Sequence, residues 1–518
     1  MILIDTIDRG VRVAPDAPCL VRPDGTVDMT HAEFHRATHQ IAAGLIAAGI
    51  GPGDRVGVLS PNDPRAFAAV VGVIRAGATW VAVNYMASES DTSDFLNLTG
   101  CSALIHHEHL ADKAAAIVAD VPSLRTVIVI GQAGPGQLTL DDWLAAEPAV
   151  VPSAGRSEDV VMLTGTGGTT GRPKGVPITS RQMVQMCLAF SAHLHEPEPP
   201  RYLCATPMTH AAGVMAFPVL AEGGAVIVHA GVKAEEIFDS IERNRVSRTF
   251  LPPTALYALL GHPEVRNHDY SSLRHFAFGA APIAPERLAE AVEVFGPVMA
   301  QVFGQTEAPM LCTYMPPQLI AEAAADPQKQ HRLASCGLPS LVARVEIMDD
   351  DGNLLGPGER GEIVVRGELV FSGYWQNPEA TAETTRPGGW HGTGDVGLRD
   401  QDGFVYIVDR KKDLIISGGF NVFPSEVEAV IHALGTVNDC AVIGLPDDKW
   451  GEVVTAVVEP KAGETVDPDR VIARCKERLG SVKAPKQVFI QELPRSANGK
   501  VLKRELRDAF WASAGRAI

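Results

Sequence analysis

The chain has 518 residues, 46% of them hydrophobic, and a formal net charge of −17. It is too long for one ordinary core, so we expect two or more domains. The acidic charge disfavours nucleic acid as a partner, and the absence of any run of about 18 uncharged apolar residues argues against a membrane span.

The first residues do not resemble a secretory signal, because Asp5 and Asp8 interrupt them and no basic region precedes an apolar one. The eight cysteines are scattered and include no Cys-x-x-Cys pair, so they are expected to be small core residues in a reducing compartment. Together these features predict a cytoplasmic location.

Residues 1–150 alternate helix-like and strand-like segments. The pattern predicts helices over residues 34–48 and 67–76 and strands over residues 54–59 and 80–84. Similar buried strands are predicted over residues 103–106, 126–130, 225–229 and 248–251. Alternation of this kind implies parallel sheets covered by helices, which is an α/β fold.

A Gly- and Thr-rich loop lies within VMLTGTGGTTGRPKGVPITS, residues 161–180. An apolar run precedes the loop and a helix-like pattern (Met183, Met186, Leu188 and Phe190) follows it, whereas a mobile linker, the alternative, would have polar flanks. Its glycines and threonine hydroxyls can direct hydrogen-bond donors into one concavity, which suits a phosphate. The patterns Gly-Lys-Ser/Thr and Gly-x-Gly-x-x-Gly both fail to fit this loop.

After about residue 340 the pattern changes to short strands, over residues 343–348, 361–366 and 403–408, and predicts a barrel or sandwich. Beyond residue 410 an α+β pattern follows, with strands over 414–417, 440–445, 452–459 and 487–492 and helices over 425–433 and 469–479. Residues 411–518 carry 16 Lys and Arg against 15 Asp and Glu, whereas residues 1–410 carry 29 against 47. We therefore predict two domains, residues 1–410 and 411–518.

Four further stretches lie on turns between predicted elements. They are AQVFGQTE (300–307), WHGTGDVG (390–397), DGFVYIVDRKKDLIISGGFNVFPSEVE (402–428) and LPRSANGKVLKREL (493–506). Taken alone, a Glu that follows a strand, such as Glu307, is more often a surface carboxylate than a catalytic one, and the alternative for Lys500 is a solvated lysine of a basic tail.

Together and in this order, these stretches and the Gly/Thr loop resemble the adenylate-forming superfamily of acyl-CoA synthetases, luciferases and peptide-synthetase adenylation domains. The resemblance covers the chain from about residue 10 to residue 507. It implies a large N-terminal domain of two layered αβ sheets and a β-barrel, joined by a hinge to a small, mobile α+β C-terminal domain.

The resemblance also implies an ATP site with Mg²⁺. The residues implied are Thr166, Gly167, Gly168, Thr169, Thr170, Gly171 and Lys174 at the phosphates, Gly279, Ala280, Ala281 and Pro282 at adenine, Phe303, Gly304 and Gln305 beside them, Thr306 at the α-phosphate, Glu307 and Thr166 at the metal, and Asp395 and Arg410 at ribose. A carboxylate is a natural ligand for a hard cation that bridges phosphates. One departure is Gly167, where the family often has Ser.

Further roles follow from the same resemblance. Lys500 would bridge the substrate carboxylate and the α-phosphate, which stabilises the charge as two anions meet. Lys412 would be the hinge, and the loop of Gly418, Gly419 and Phe420 would line the path of CoA. His210 would flank the substrate carboxylate, although a satisfied core histidine is the alternative.

The segment CATPMTHAAGV (204–214) resembles the family's acyl-site segment. Between Cys204 and Leu220 it has no acidic residue for a substrate ammonium, and Ala211, Gly213 and Met215 would form an apolar wall with small side chains. The resemblance therefore implies an AMP-forming acyl-CoA synthetase for an apolar carboxylic acid, with ATP, Mg²⁺ and CoA.

Two alternatives stay open. One is an acyl-AMP ligase that loads a carrier protein in trans, and the other is a catalytically silent ATP-binding homologue, whose expected sign would be loss of Lys500 or Glu307. The sequence does not fix the oligomeric state, so a homodimer is also left open.

Overall fold

The structure, a computed structural model, describes residues 1–146, 150–152, 155–166, 174–209, 211–447, 450–495 and 501–513. Packing divides the chain into two compact units, of which the first comprises Met1–Val345 and Val365–His391. The second comprises Glu346–Val364 and the chain from Gly392 onward. These units group residues by packing and do not identify a pivot, so the domain boundary at residue 410 stays a prediction.

The strands in chain order are β1 (Pro18–Val21), β2 (Val27–Thr30), β3 (Arg55–Leu59), β4 (Thr79–Ala82), β5 (Ala103–His107), β6 (Thr126–Ile130), β7 (Leu138–Thr139), β8 (Val160–Thr166), β9 (Lys174–Thr179), β10 (Arg201–Cys204), β11 (Ala225–Val228), β12 (Arg248–Leu251), β13 (His275–Phe278), β14 (Met299–Gln305), β15 (Ala308–Met315), β16 (Leu338–Pro339), β17 (Arg344–Met348), β18 (Gly361–Arg366), β19 (Thr385–Arg386), β20 (Trp390–Arg399), β21 (Val405–Arg410), β22 (Ile415–Ser417), β23 (Phe420–Val422), β24 (Val437–Asp447), β25 (Gly451–Pro460) and β26 (Gln487–Ile490).

The helices are α1 (Leu3–Val13), α2 (His31–Ala47), α3 (Pro64–Arg75), α4 (Glu89–Thr99), α5 (Ala111–Asp120), α6 (Leu140–Leu144), α7 (Ser180–His193), α8 (Ala211–Val214), α9 (Ala216–Ala221), α10 (Ala234–Arg243), α11 (Pro253–Leu260), α12 (Pro285–Phe295), α13 (Pro317–Ala325), α14 (Pro378–Thr384), α15 (Pro424–His432), α16 (Pro468–Lys483) and α17 (Lys503–Ser513). None of the helices in the described ranges is long and apolar enough to cross a membrane.

Two mainly parallel sheets form the first unit. The nine-stranded sheet has the order β16-β15-β14-β13-β12-β10-β11-β1-β2, and the seven-stranded sheet has the order β7-β6-β5-β3-β4-β8-β9. Adjacent strands from β14 to β1 and from β7 to β8 are parallel. Because parallel strands end at one edge of a sheet, the loops after β10, β13 and β14 lie at the same edge of the nine-stranded sheet, and the loop after β8 lies at the corresponding edge of the seven-stranded sheet.

Local sequence sets where the helices of this unit begin. Thr30 caps α2 through the backbone N–H of Glu33, and the Glu33 carboxylate accepts from the Thr30 N–H in return. The same reciprocal cap joins Thr179 to Gln182 at the start of α7, directly after β9. The end of the Gly/Thr loop segment is therefore fixed by a strand and then by a capped helix.

The second unit contains a sheet with the order β23-β22-β25-β24, with β26 paired to β25. One face of it packs on α15 and α16 through an apolar cluster that includes Val427, Ile431, Val454 and Cys475, all buried. Strands β17–β21 form another five-stranded sheet, in the region predicted to be a β-barrel.

The predicted α/β fold, with a large N-terminal part of layered sheets and a smaller C-terminal part, is confirmed, and the predicted strands agree with the observed ones to within three residues at each end. Leu188, counted with the apolar residues of α7, is 49% exposed, because it faces away from the core that buries Met183, Met186 and Phe190. All eight cysteines lie in the described ranges, and all eight are buried.

Candidate active site

The Gly/Thr loop connects two paired strand ends. Strands β8 and β9 are antiparallel, and Thr166 pairs directly with Lys174. The predicted phosphate residues Gly167, Gly168, Thr169, Thr170 and Gly171 lie outside the described residues, as do His210 and Lys500. The structure therefore fixes the two ends of this loop and the positions of Thr166 and Lys174.

Lys174 contacts an aromatic ring and a carboxylate. Its Nζ lies 5.0 Å from the centroid of the Tyr374 ring and 3.8 Å from Oε2 of Glu383. Glu383 is largely exposed, so this ion pair is weak, whereas the aromatic face gives the ammonium a neutral partner. Among the described residues, Lys174 thus has no strong anionic partner at the loop end.

Thr306 and Glu307 form the turn of the β14–β15 hairpin, where Gln305 pairs with Ala308. Glu307 is 8% exposed, and the Tyr374 hydroxyl donates a hydrogen bond of 2.6 Å to its Oε1. Burial, together with the Glu307 carboxylate, raises the pKa of Tyr374 well above its usual range. The same tyrosine therefore contacts two residues predicted for the ATP site, Lys174 and Glu307.

The strand that leads to this turn has little room for side chains. A Cβ on Gly304 would lie 2.6 Å from backbone atoms of Met310, which itself has a φ of 66°. Phe303 is half-buried, and Gln305 contacts His391 through Oε1 and Nε2 at 3.0 Å. The approach of two backbone segments explains why Gly304 is needed here.

The predicted adenine turn, residues 279–282, follows β13 and lies beside β14. A Cβ on Gly279 would lie 2.4 Å from the carbonyl oxygen of Val302, and Ala280 adopts a φ of +68°. Left-handed backbone in a residue with a Cβ costs about 1 kcal/mol and is concentrated at functional sites. Ala281 and Pro282 continue this turn and are half-buried and exposed, respectively.

The predicted acyl segment is fixed by Asn62, three residues after the end of β3. The Asn62 side chain donates to the carbonyls of Thr206 and His229 at 2.9 and 2.8 Å, and its Oδ1 accepts from the Met208 N–H at 2.7 Å. A Cβ on Gly213 would lie 1.9 Å from the Met208 carbonyl oxygen. Asn62 thus joins the two sheets at the base of this segment.

Two of the three residues predicted for the acyl wall have described surroundings. Met215 is 1% exposed and belongs to the main core cluster of the first unit, and Gly213 packs against the backbone of Met208. Ala211 begins α8. Their role as an acyl wall stays a prediction.

In the second unit, Asp395 and Arg410 lie opposite each other on β20 and β21. Nε of Arg410 is 2.7 Å from Oδ1 of Asp395, which is almost fully buried. The next residue, Lys411, begins a short 3₁₀ helix, Lys411–Asp413, and its Nζ lies 2.7 Å from Oδ1 of Asp350. Lys412, the predicted hinge, is exposed in this helix.

The residues predicted to line the CoA path form a tight hairpin turn. Ser417 pairs with Phe420, so Gly418 and Gly419 are the two turn residues, with φ of 59° and 82°. Positive φ at both positions is what a two-residue hairpin turn of type I′ requires. Phe420 is 60% exposed.

The structure brings together three predicted residues, Thr166, Lys174 and Glu307, and a fourth that the sequence analysis missed, Tyr374. The signal for Tyr374 was an aromatic cluster, Phe371 to Trp375, in a turn before a helix. His391 was quoted in the stretch around Asp395 without a role, yet it contacts Gln305. Asn62 was missed because it acts across two sheets that the sequence does not show to be adjacent.

Two protein-family profiles match most of the chain. The profile of the AMP-binding enzyme family matches residues 7–375, and that of the AMP-binding enzyme C-terminal domain matches residues 426–500. The chain is 39% identical over 510 residues to the medium/long-chain fatty acid–CoA ligase FadD8 of Mycobacterium tuberculosis, covering 95% of this chain and 88% of that protein.

Two further similarities extend over almost the whole chain. It is 38% identical over 509 residues to a feruloyl-CoA synthase of an Amycolatopsis species, covering 97% of this chain and 98% of that one. Among solved structures, the amide bond synthetase McbA from Marinactinospora thermotolerans superposes with a TM-score of 0.88 at 30% identity, covering 98% of this chain and 100% of that one.

Proposed function

This chain belongs to the AMP-binding enzyme family of adenylate-forming ligases, and from that premise we propose that it is an ATP-dependent acyl-CoA synthetase that activates an apolar carboxylic acid. The acid's carboxylate would attack the α-phosphorus of ATP, forming the acyl-adenylate and releasing pyrophosphate. The thiol of CoA would then attack the activated carbonyl and displace AMP.

The observation that carries the proposal is the cluster of Lys174, Tyr374 and Glu307 at the end of the Gly/Thr loop. Attack by a carboxylate on a phosphate brings two anions together, so the site needs cations and hydrogen-bond donors around the developing charge. Lys174 supplies an ammonium that has no strong anionic partner among the residues the structure describes, and Thr166 lies directly beside it in the β8–β9 pair.

The donor set fits Mg²⁺. Glu307 offers a carboxylate at a turn, and Tyr374 is the one side chain within the described ranges that donates a hydrogen bond to it. The Glu307 carboxylate and the Thr166 hydroxyl would hold the ion, because hard cations prefer oxygen ligands. When bound, Mg²⁺ would neutralise charge on the phosphates.

In the second unit, the buried Asp395 carboxylate and the Arg410 guanidinium would hold the ribose. Lys500 would act in adenylation, and the hairpin of Gly418, Gly419 and Phe420 would guide CoA in the second half-reaction. The exposed Phe420 ring and the absence of side chains at the two turn glycines support that role.

The acid is proposed to be apolar. The segment from Cys204 to Leu220 has no acidic residue that could pair with a substrate ammonium. The relatives named for fatty-acid and feruloyl substrates are consistent with a hydrophobic acid of either kind. An acyl-AMP ligase that passes its product to a carrier protein is the second candidate for the acceptor.

The experiment is a panel of fatty, alicyclic and aromatic acids assayed for pyrophosphate release with Mg·ATP, with and without CoA. We expect acid-dependent pyrophosphate and AMP, with an acyl-CoA product when CoA is present. Formation of ADP and orthophosphate would contradict the adenylate route. Pyrophosphate release that CoA does not accelerate would favour the carrier-loading alternative.

A further inference from the structure

Residues 371–375 form a bridge between the two loops that carry the proposed phosphate and metal residues. The backbone N–H of Phe371 donates to the Glu307 carbonyl at 2.8 Å, and the N–H of Trp375 donates to the Gly175 carbonyl at 2.8 Å. Segment 371–375 is thus hydrogen-bonded at one end to the β14–β15 turn and at the other to the start of β9.

The side chain of Tyr374 is oriented by its own backbone contacts. Its N–H donates to Oγ1 of Thr381 at 2.9 Å, and the Thr381 side chain would collide with any Cβ at Gly373, at 2.7 Å. The backbone of Tyr374 is therefore fixed. From this position its ring contacts Lys174 and its hydroxyl contacts Glu307.

Tyr374 contacts two oppositely charged residues, Lys174 and Glu307. If Lys174 and Glu307 contacted each other, their salt bridge would have to break before a phosphate and a cation could bind. Tyr374 gives the ammonium an aromatic face and the carboxylate a neutral donor, so each charge keeps most of its capacity for the ligand. Groups that are already in position bind a ligand without a free-energy cost for reorganisation.

We propose that Tyr374 is a positioning residue of the ATP site: its hydroxyl orients the Glu307 carboxylate for the divalent cation, and its ring orients Lys174 for the phosphates. The inference rests on the proposed ATP-dependent function. Because the hydroxyl and the ring have separate roles, one substitution can remove the hydroxyl alone and another can remove both.

Two variants and one matched control test this division. Tyr374→Phe removes the hydroxyl and keeps the ring, and Tyr374→Leu removes both. The control is Tyr270→Phe, because the Tyr270 hydroxyl is also buried, donates to a backbone carbonyl (Val265, 2.6 Å) and lies in the same unit. Within the described ranges its ring contacts Phe238 and Phe295, neither of which is placed in the site.

Binding is measured on the full chain without any acid, by Mn²⁺ electron paramagnetic resonance with ATP present and by calorimetry of ATP in EDTA. In Tyr374→Phe we expect Mn²⁺ affinity to fall about 10-fold, as for loss of a hydrogen bond to a charged group, with ATP affinity in EDTA unchanged. In Tyr374→Leu we expect ATP affinity in EDTA to fall as well, by about 3-fold or more.

The Mg²⁺ dependence of ATP–pyrophosphate exchange gives a second readout. We expect the KM for Mg²⁺ to rise in Tyr374→Phe while kcat at saturating Mg²⁺ changes little, and both to stay at wild-type values in Tyr270→Phe. Mn²⁺ affinity and KM for Mg²⁺ in Tyr374→Phe within twofold of the control would overturn the inference.

The test separates this inference from the proposed function. If no acid supports exchange in the wild type, the proposed reaction fails, but the Mn²⁺ and ATP affinities still decide the role of Tyr374. If the Leu variant does not fold, judged by circular dichroism, the Phe variant alone decides the role of the hydroxyl.

Discussion

Single buried residues determine part of the response of this protein to pH. His229 follows β11 with a fully buried side chain, and neither of its ring nitrogens has a hydrogen-bond partner within the described ranges. Burial lowers the pKa of His229 to about 4, although Glu236 opposes the shift. The folded state therefore resists protonation of a group that the unfolded chain protonates at an ordinary pKa of about 6.5.

We predict that stability falls as the pH drops from about 6.5 to about 4, because in that window the unfolded chain binds a proton that folded His229 does not. Between pH 7.5 and pH 5 the loss from this residue is about 2 kcal/mol at most. In His229→Leu the difference between urea midpoints at these two pH values should shrink accordingly. An unchanged difference would show that other groups cause the acid sensitivity.

At the scale of elements, apolar runs and helical periodicity predicted about half of the strands and a minority of the helices, because the apolar side chains of those elements are buried. Contacts between elements distant in the sequence were not predictable. Tyr374 contacts Lys174 and Glu307 because segment 371–375 is hydrogen-bonded both to the β14–β15 turn and to the start of β9. Residues such as Asp395 and Arg410 were named from a motif, and their pairing depends on the antiparallel register of β20 and β21.

The start of α17 is held by a partly buried ion pair. Nζ of Lys503 lies 2.7 Å from Oε1 of Glu428 on α15, and that oxygen also accepts from the Val442 N–H at 2.7 Å. Lys503→Met leaves the Glu428 carboxylate without its cation, so we expect about 1–3 kcal/mol loss of stability.

The double variant Lys503→Met/Glu428→Gln should recover at least half of that loss, because no unpaired charge remains and the amide oxygen still accepts from Val442. Urea unfolding of the four proteins in this cycle measures the coupling. Additive effects of the two substitutions would show that the pair contributes no interaction energy.

The link between β21 and β22 contains Lys412, the predicted hinge of the domain rotation that precedes thioester formation. Pro at position 412 would fix φ near −65° and restrict Lys411 as well, so only one of the two domain arrangements should remain accessible. If that is the adenylation arrangement, Lys412→Pro should leave ATP–pyrophosphate exchange near normal and slow thioester formation by orders of magnitude. Lys412→Ala is the control and should change both reactions little. A stopped-flow comparison of the two half-reactions in both variants tests this assignment. Normal thioester formation in the Pro variant would show that the hinge lies elsewhere.

For the whole molecule, the proposed reaction divides between two half-reactions that use different residues. Lys500→Ala should slow adenylation by about 100-fold or more, as for removal of a charge-stabilising donor, while thioester formation from a supplied acyl-adenylate continues. Rapid-quench assays of each half-reaction measure this ratio. Equal loss in both steps would mean that Lys500 serves the fold or both reactions alike.

The burial of all eight cysteines has a practical consequence for following such steps. Burial raises the pKa of the Cys475 thiol to about 11 and that of Cys101 to about 12, so neither presents a thiolate to a maleimide at neutral pH. Cysteines introduced at exposed Ser90 in the first unit and Ser481 in the second would therefore take fluorophores selectively in the otherwise natural chain. Energy transfer between the two dyes would then report, in real time, any rearrangement that ATP, acid and CoA each induce.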